Sequence, residues 1–499
     1  MLRSWGINIV MALCLLLLTQ VGKAQQPNIV FIFADDLSYH DVGAYGNSEV
    51  RTPHIDALAK EGIRFTRAYN MGSWSPAVCM PSRTMLNTGR YLWNAEEARS
   101  EDYRQIRQSG DFWSQRLKAA GYETYFTGKW HVPGLDPGDL FDHVVHVRPG
   151  MPDQTEAGYD RPHEGEEDPW SPYDTTFGGF WEGGKHWSEV LADDAINFID
   201  DASERNKPFF MYLAFNAPHD PRQSPKKFVE SYNPDELEIP ENYLPEYPFK
   251  NPIGAGRVNE RNRPHPPGTP RELIESSPYL RDERLAPFPR TEYAVSVHRQ
   301  EYYAIISHMD EQIGYILDQL EKRGELEQTI FVFTSDHGLA AGQHGFMGKQ
   351  NMYEHSLKVP FIIKGPGLPA GEVFDASIYL QDAVPTTIEL AGGAVPHSYQ
   401  FRSLLPLIRG EETELHPAIY GAYLDKQRSV IEWPHKLILY PDIPKVRLYN
   451  LEEDPYETED LAGQEDSTPI IKRLMKQLSE LQEETGDNLV LSKFYPEWF

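Results

Sequence analysis

The stretch NIVFIFADD, residues 28–36, decides the fold. Residues 28–34 form an apolar, β-rich run without the alternation of a half-exposed strand, so they read as a central strand buried on both faces. The run stops abruptly at Asp35 and Asp36. Two further stretches repeat this design: FFMYLAF at 209–215, and TIFVFT at 329–334, which ends in Ser335, Asp336 and His337. Residues 121–126 and 359–364 add two more strands. Helical spacing is expected over 54–62, 82–87 (just after Pro81), 112–120, 190–202 and 293–323. Strands alternating with helices imply an α/β domain whose central mixed, mostly parallel sheet lies between helices. In such sheets ligands sit beyond the carboxyl ends of the strands. Polar residues cluster at those places here, at 35–36, 216–220 and 335–338.

The pattern changes past Gly393. Short strands at 419–424, 428–431, 436–440 and 446–450 imply a small antiparallel sheet. Apolar positions 470, 471, 474, 475, 478 and 481 then mark one amphipathic helix. The expected organisation is a catalytic domain over 25–393 and a smaller C-terminal α+β domain over 394–499. Residues 133–187 and 221–292 are rich in Pro, Gly and charge and read as surface excursions that shape a binding face. The first carries Trp170, Trp181 and Trp187, suited either to stacking on sugar rings or to packing a thin loop.

At the N-terminus, Arg3, an apolar run over 7–18 and small residues at Gly22 and Ala24 read as a signal peptide, residues 1–24. The protein is therefore expected to be exported, to the periplasm or beyond, without stable membrane association. The 47 basic and 75 acidic residues leave a net charge of -28, which excludes nucleic acid as a partner. An anionic substrate would need a locally positive pocket. Of the two cysteines, Cys14 leaves with the signal peptide, so Cys79 has no disulfide partner within the mature chain.

Adjacent carboxylates at Asp35 and Asp36 repel one another unless a cation neutralises them. With Asp336 and His337 at the end of a second buried strand, they can converge on one divalent cation, with Ca²⁺ favoured by oxygen-rich ligation. Cys79 stands in Cys-Met-Pro-Ser-Arg, near a helix start where anions are stabilised. On these grounds alone it could be a low-pKa thiolate, with Arg83 serving an oxyanion.

The segment CMPSRTMLNTGR, residues 79–90, resembles the signature of the type I sulfatases, Cys-x-Pro-Ser-Arg followed by x-x-Leu-x-Thr-Gly. Similarity continues in order through ADD (34–36), TPHIDALA (52–59), GKWH (128–131), NAPH (216–219), TSDHG (334–338), Gly348-Lys349 and YNLEEDPYETEDL (449–461). The resemblance implies an alkaline phosphatase-like fold. It also implies that Cys79 is oxidised to formylglycine (3-oxoalanine) by a separate formylglycine-generating enzyme. The metal ligands would be Asp35, Asp36, Asp336, His337 and modified Cys79, although the family often has Asn at the position of His337. Arg83, Lys129, His131, His219 and Lys349 match the remaining catalytic positions.

The mechanism so implied begins with an ionised hydroxyl of the formylglycine hydrate attacking sulfur in line. Lys129, Lys349 and the ion neutralise the sulfuryl oxygens, His219 protonates the departing alcohol, and His131 helps expel sulfate. Export and long loops favour a sulfated oligo- or polysaccharide substrate, such as an ulvan, carrageenan or glycosaminoglycan fragment. Arylsulfatase or choline-sulfatase activity is the alternative, and a phosphoester hydrolase of the same superfamily is a third reading. Arg222, Gln343 and His344 are candidate substrate contacts through their proximity to the matched motifs.

Overall fold

The structure, a computed structural model, describes residues 26–205, 207–248 and 281–499. The expected signal peptide and residues 249–280 of the second excursion lie outside the described residues. Eight strands form the large sheet, in the spatial order Glu372–Tyr379, Ile63–Tyr69, Lys358–Lys364, Thr329–Ser335, Asn28–Asp35, Phe209–Pro218, Glu123–Lys129 and His143–Arg148. Lys358–Lys364 runs antiparallel to both its neighbours, and every other pairing is parallel.

Strand Asn28–Asp35 sits inside this sheet and is buried throughout. Alternate side chains enter opposite layers, as the two-residue period of a strand requires. Ile29, Phe31 and Phe33 pack with Leu86, Trp113, Leu117, Val384 and Ile388, from helices Cys79–Thr88, Trp113–Ala119 and Ala383–Leu390. Val30, Ile32 and Ala34 pack with helices Pro53–Glu61, Trp187–Ser203 and Glu292–Arg323. The result is a three-layer α/β architecture.

A second sheet carries the antiparallel strands Ile419–Tyr423, Gln427–Glu432, His435–Tyr440 and Lys445–Asn450. Helix Thr468–Thr485 covers it with Ile471, Leu474, Met475, Leu478 and Leu481. The fifth strand of this sheet, Gly72–Ser73, comes from far upstream and pairs in parallel with Ala422 and Tyr423. A Cβ at Gly72 would lie 1.9 Å from the Ala422 carbonyl oxygen, so only glycine permits this approach.

Candidate active site

Register brings the functional strand ends together. Ala34 is opposite Ser335, Asp35 is opposite Pro218, and Gly128 is opposite Ala214. Because these four strands are neighbours and parallel, Asp35–Asp36, Asp336, His219 and Lys129 all emerge on one edge of the sheet.

The nucleophile candidate arrives from a different element. The sequence places the helix start after Pro81, but the helix begins at Cys79 itself. Pro81 occupies its first turn, where a missing N–H costs no helical bond. The helix ends at Gly89, whose φ of +66° lets its N–H reach the Met85 carbonyl at 2.9 Å. Four residues after Cys79, and so on the same helical face, Arg83 is fully buried. Its Nε donates to Asp336 Oδ2 at 2.9 Å and its Nη1 to the Lys129 carbonyl at 2.8 Å.

Cys79 Sγ lies 3.2 Å from Lys349 Nζ and 3.7 Å from Asp36 Oδ1. Lys349 also donates to Asp36, and Lys129 to Asp35. Burial pushes the Cys79 thiol up despite these two lysines. That speaks against the low-pKa thiolate which the helix start alone suggested. Asp36 holds a left-handed φ of +68°, and its N–H donates to Asp336 Oδ1 at 3.1 Å. A strained backbone fixed by a neighbouring strand is a common device for aiming a functional side chain.

Ligand atoms of Asp35, Asp36, Cys79 and Asp336 lie within 4.8 Å of one another. Two oxygens facing each other across a Ca²⁺ ion at about 2.4 Å are separated by about that distance. Asp35 Oδ1 is buried without a hydrogen-bond partner, and burial holds the Asp35 carboxyl well above the usual carboxylate range. An orphaned carboxylate oxygen among converging acidic groups fits a divalent cation. His337 stands outside the four-residue set, with its Nδ1 against the Gly338 carbonyl at 2.8 Å.

His219 approaches from the Phe209–Pro218 strand, its Nε2 3.5 Å from Asp36 Oδ2. His131, at a left-handed φ of +50°, has its ring against Gly150. Burial first, then Lys129 and Arg83, push its imidazole down to about 2 and keep it neutral.

The three candidate substrate contacts stand in loop scaffolding. The Arg222 guanidinium covers the Tyr302 ring at 5.2 Å. His344 stacks on Tyr353 at 4.0 Å and meets the Asn242 side chain at 3.2 Å. Gln343 accepts from the Ala341 N–H and lines a polar cavity of about 290 Å³ with His40, Asn242 and Tyr456. Trp170 is buried beneath Arg161 at 4.8 Å, and Arg148 covers Trp187 at 4.4 Å, so both tryptophans pack the excursion.

Sequence reasoning missed Asp220, Arg281, Asp282 and Gln350, which bond to one another and reach the backbone beside His219 and Lys349. Asp220 directly follows the matched His219 and could have been found there. Arg281 and Asp282 belong to an excursion without periodicity and gave no signal.

The sulfatase family profile matches residues 27–394, and the profile of the N-sulphoglucosamine sulphohydrolase C-terminal region matches residues 342–484. An N-acetylglucosamine-6-O-sulfatase of Bacteroides thetaiotaomicron is 27% identical, over 94% of this chain and 88% of that protein. An ulvan-active sulfatase of Formosa agariphila is 26% identical, over 95% of this chain and 85% of its own length. A structure solved with its substrate D-glucosamine-2-N,6-O-disulfate superposes with a TM-score of 0.69 at 25% identity, covering 93% of this chain and 99% of the other. Among the described residues no helix is long and apolar enough to cross a membrane. With the family profile spanning both the strand ends and the Cys79 helix, the chain belongs to the sulfatases, the enzymes that hydrolyse sulfate esters.

Proposed function

We propose that this sulfatase removes sulfate from a sulfated carbohydrate fragment, with Cys79 matured to formylglycine and one divalent cation, Ca²⁺, held by Asp35, Asp36, Asp336, His337 and residue 79. The observation that carries the reading is the setting of Cys79. It is buried at a helix start, 3.2 Å from Lys349 Nζ, and faces three converging carboxylates, one oxygen of which, Asp35 Oδ1, has no hydrogen-bond partner. When present, the cation and the aldehyde hydrate supply a charge sink and an attacking hydroxyl.

The chain's own residues do the remainder. Lys129 and Lys349 reach the site from two sides and neutralise the sulfuryl oxygens as charge builds there. Arg83, locked to Asp336 and the Lys129 carbonyl, keeps the side chain at position 79 aimed. His219 gives a proton to the departing alcohol oxygen, and neutral His131 accepts one from residue 79. Arg83, Lys129 and Lys349 balance the three carboxylates they pair with, so the divalent cation, when bound, would make the pocket locally positive inside a chain of net charge -28.

The carbohydrate assignment draws support from the relatives named for N-acetylglucosamine 6-sulfate and ulvan. We take residues 25–393 as the catalytic domain, 394–499 as its C-terminal companion and 1–24 as an export signal. Peptide mass spectrometry across Cys79 in protein from an exporting host tests the maturation. Incubating that protein with sulfated glucosamine, ulvan and carrageenan oligosaccharides, and measuring released sulfate, tests the substrate class. An unmodified Cys79 in fully active protein would sink the mechanism.

A further inference from the structure

The His219 ring is held most closely at Nδ1. Its Nδ1 faces two acceptors of Asp220, the backbone carbonyl at 2.7 Å and carboxylate Oδ1 at 3.1 Å. Two acceptors at one ring nitrogen require that nitrogen to carry the proton, which leaves Nε2 as the nitrogen presented toward Asp36 and the site. Asp220 is itself buried, and Arg281 grips it with both terminal nitrogens, one bonding Oδ2 and the other 3.2 Å from Oδ1. A forked guanidinium–carboxylate pair fixes orientation as well as charge.

The same Arg281 also bonds Asp282, whose Oδ2 accepts from Gln350 Nε2 at 2.8 Å. Gln350 Oε1 accepts the Lys349 N–H at 3.1 Å, and its Nε2 lies 3.2 Å from the Pro76 carbonyl, three residues before Cys79. A run of polar groups, all buried except the partly exposed Arg281, therefore links the ring of His219 to the backbone that carries Lys349 and leads to Cys79.

We infer that Asp220, clamped by Arg281, is a positioning residue that fixes the tautomer and tilt of His219 for proton delivery to the leaving oxygen; this rests on the sulfatase reading above. In that step the sulfur–oxygen bond to the alcohol breaks as the nucleophile's oxygen bonds to sulfur. The electron pair released onto the alcohol oxygen takes the proton from His219 Nε2, leaving a neutral imidazole. Alcohols that leave poorly need this proton, whereas a nitrophenolate departs without it. Misplacing His219 must therefore penalise the two leaving groups unequally.

The test uses matured full-length protein, with formylglycine confirmed by mass, and two esters: 4-nitrophenyl sulfate and N-acetylglucosamine 6-sulfate. Asp220→Asn is expected to lower kcat on the sugar ester by about 10- to 100-fold, within the range of general-acid contributions. The loss on the nitrophenyl ester should be at least about tenfold smaller, and KM should shift by less than about threefold. Arg281→Gln is expected to give the same pattern, and it decides the matter alone if Asp220→Asn does not fold. An independent readout needs neither maturation nor metal. A low-field imidazole N–H proton resonance, assigned by its loss in His219→Gln, should move upfield in Asp220→Asn, which keeps the backbone carbonyl as acceptor but loses the carboxylate. Equal losses on the two esters, a loss carried by KM, or no such resonance in the wild type overturns the inference and leaves the sulfatase reading standing. A matured wild type that releases sulfate from neither ester, nor from the ulvan and carrageenan oligosaccharides, overturns both.

Discussion

Arg83 Nε lies 2.9 Å from Asp336 Oδ2, joining the helix that begins at Cys79 to the end of the Thr329–Ser335 strand. Neither residue has any solvent exposure. The two elements are far apart in the chain, and this contact holds the proposed nucleophile and a proposed metal ligand in one frame.

Removing the guanidinium leaves a buried carboxylate without its main partner. Arg83→Met is expected to destabilise the protein by about 3–5 kcal/mol, read as a lower midpoint in urea. Arg83→Lys keeps the charge but cannot reproduce the fork that reaches Asp336 and the Lys129 carbonyl together. Its expected signature is a fall in kcat of at least about tenfold in a protein that still folds.

Chelation should lower thermal stability before any activity is measured. An ion that binds only the folded state stabilises it by mass action, about 2.7 kcal/mol at a hundred times its Kd. Treatment with EDTA is expected to lower Tm and added Ca²⁺ to restore it, with the response lost in Asp35→Asn. Differential scanning calorimetry with and without chelator checks this.

Gly89 ends the helix that begins at Cys79, at positive φ and with the Tyr399 ring beside it. An added Cβ would lie 2.6 Å from that ring. Gly89→Ala combines backbone strain with overpacking and is expected to cost about 1–3 kcal/mol. The measurement is an equilibrium urea titration with unchanged slope.

Asp487 gives a prediction in pH. Burial raises its carboxyl, but the Arg428 fork at 2.6 and 2.8 Å more than compensates, so it sits below the ordinary 3.8. A carboxyl depressed in the folded state contributes stability above its unfolded value and loses it as pH falls through the folded one. The stability gap between wild type and Asp487→Asn should therefore be constant near neutrality and shrink below about pH 3.8. Urea midpoints from pH 7 to pH 3 test the direction.

What the sequence makes legible follows burial. Strands Asn28–Asp35, Phe209–Pro218 and Thr329–Ser335 are enclosed on both faces, so their composition is almost wholly apolar and readable. Strands His143–Arg148 and Glu372–Tyr379 were missed. They lie at the two edges of the sheet and expose much of their length, so valines and charges mix without pattern. Ile63–Tyr69 is interior, but Arg64, Thr66 and Arg67 interrupt its apolar run. The site follows the same logic. Asp35, Asp36 and Asp336 stand out as candidates because they terminate legible strands. Cys79 and Arg83 stand out as candidates through their helix start and their motif together, and His219 and Lys349 through motif resemblance. Arg281 reaches Asp220 only through tertiary folding, which no local spacing encodes.

The Gly72–Ser73 strand gives the site a timetable. The Ala422 N–H bonds the Met71 carbonyl at 3.0 Å, and the Leu424 N–H bonds the Ser73 carbonyl at 2.8 Å. The segment leading into Cys79 thus waits for partners made more than three hundred residues later. At about 5–20 residues per second, the ribosome needs roughly 20–70 s to supply them. Throughout that interval the final seat of Cys79 does not exist, and its thiol remains open to chemistry that the finished fold shuts out.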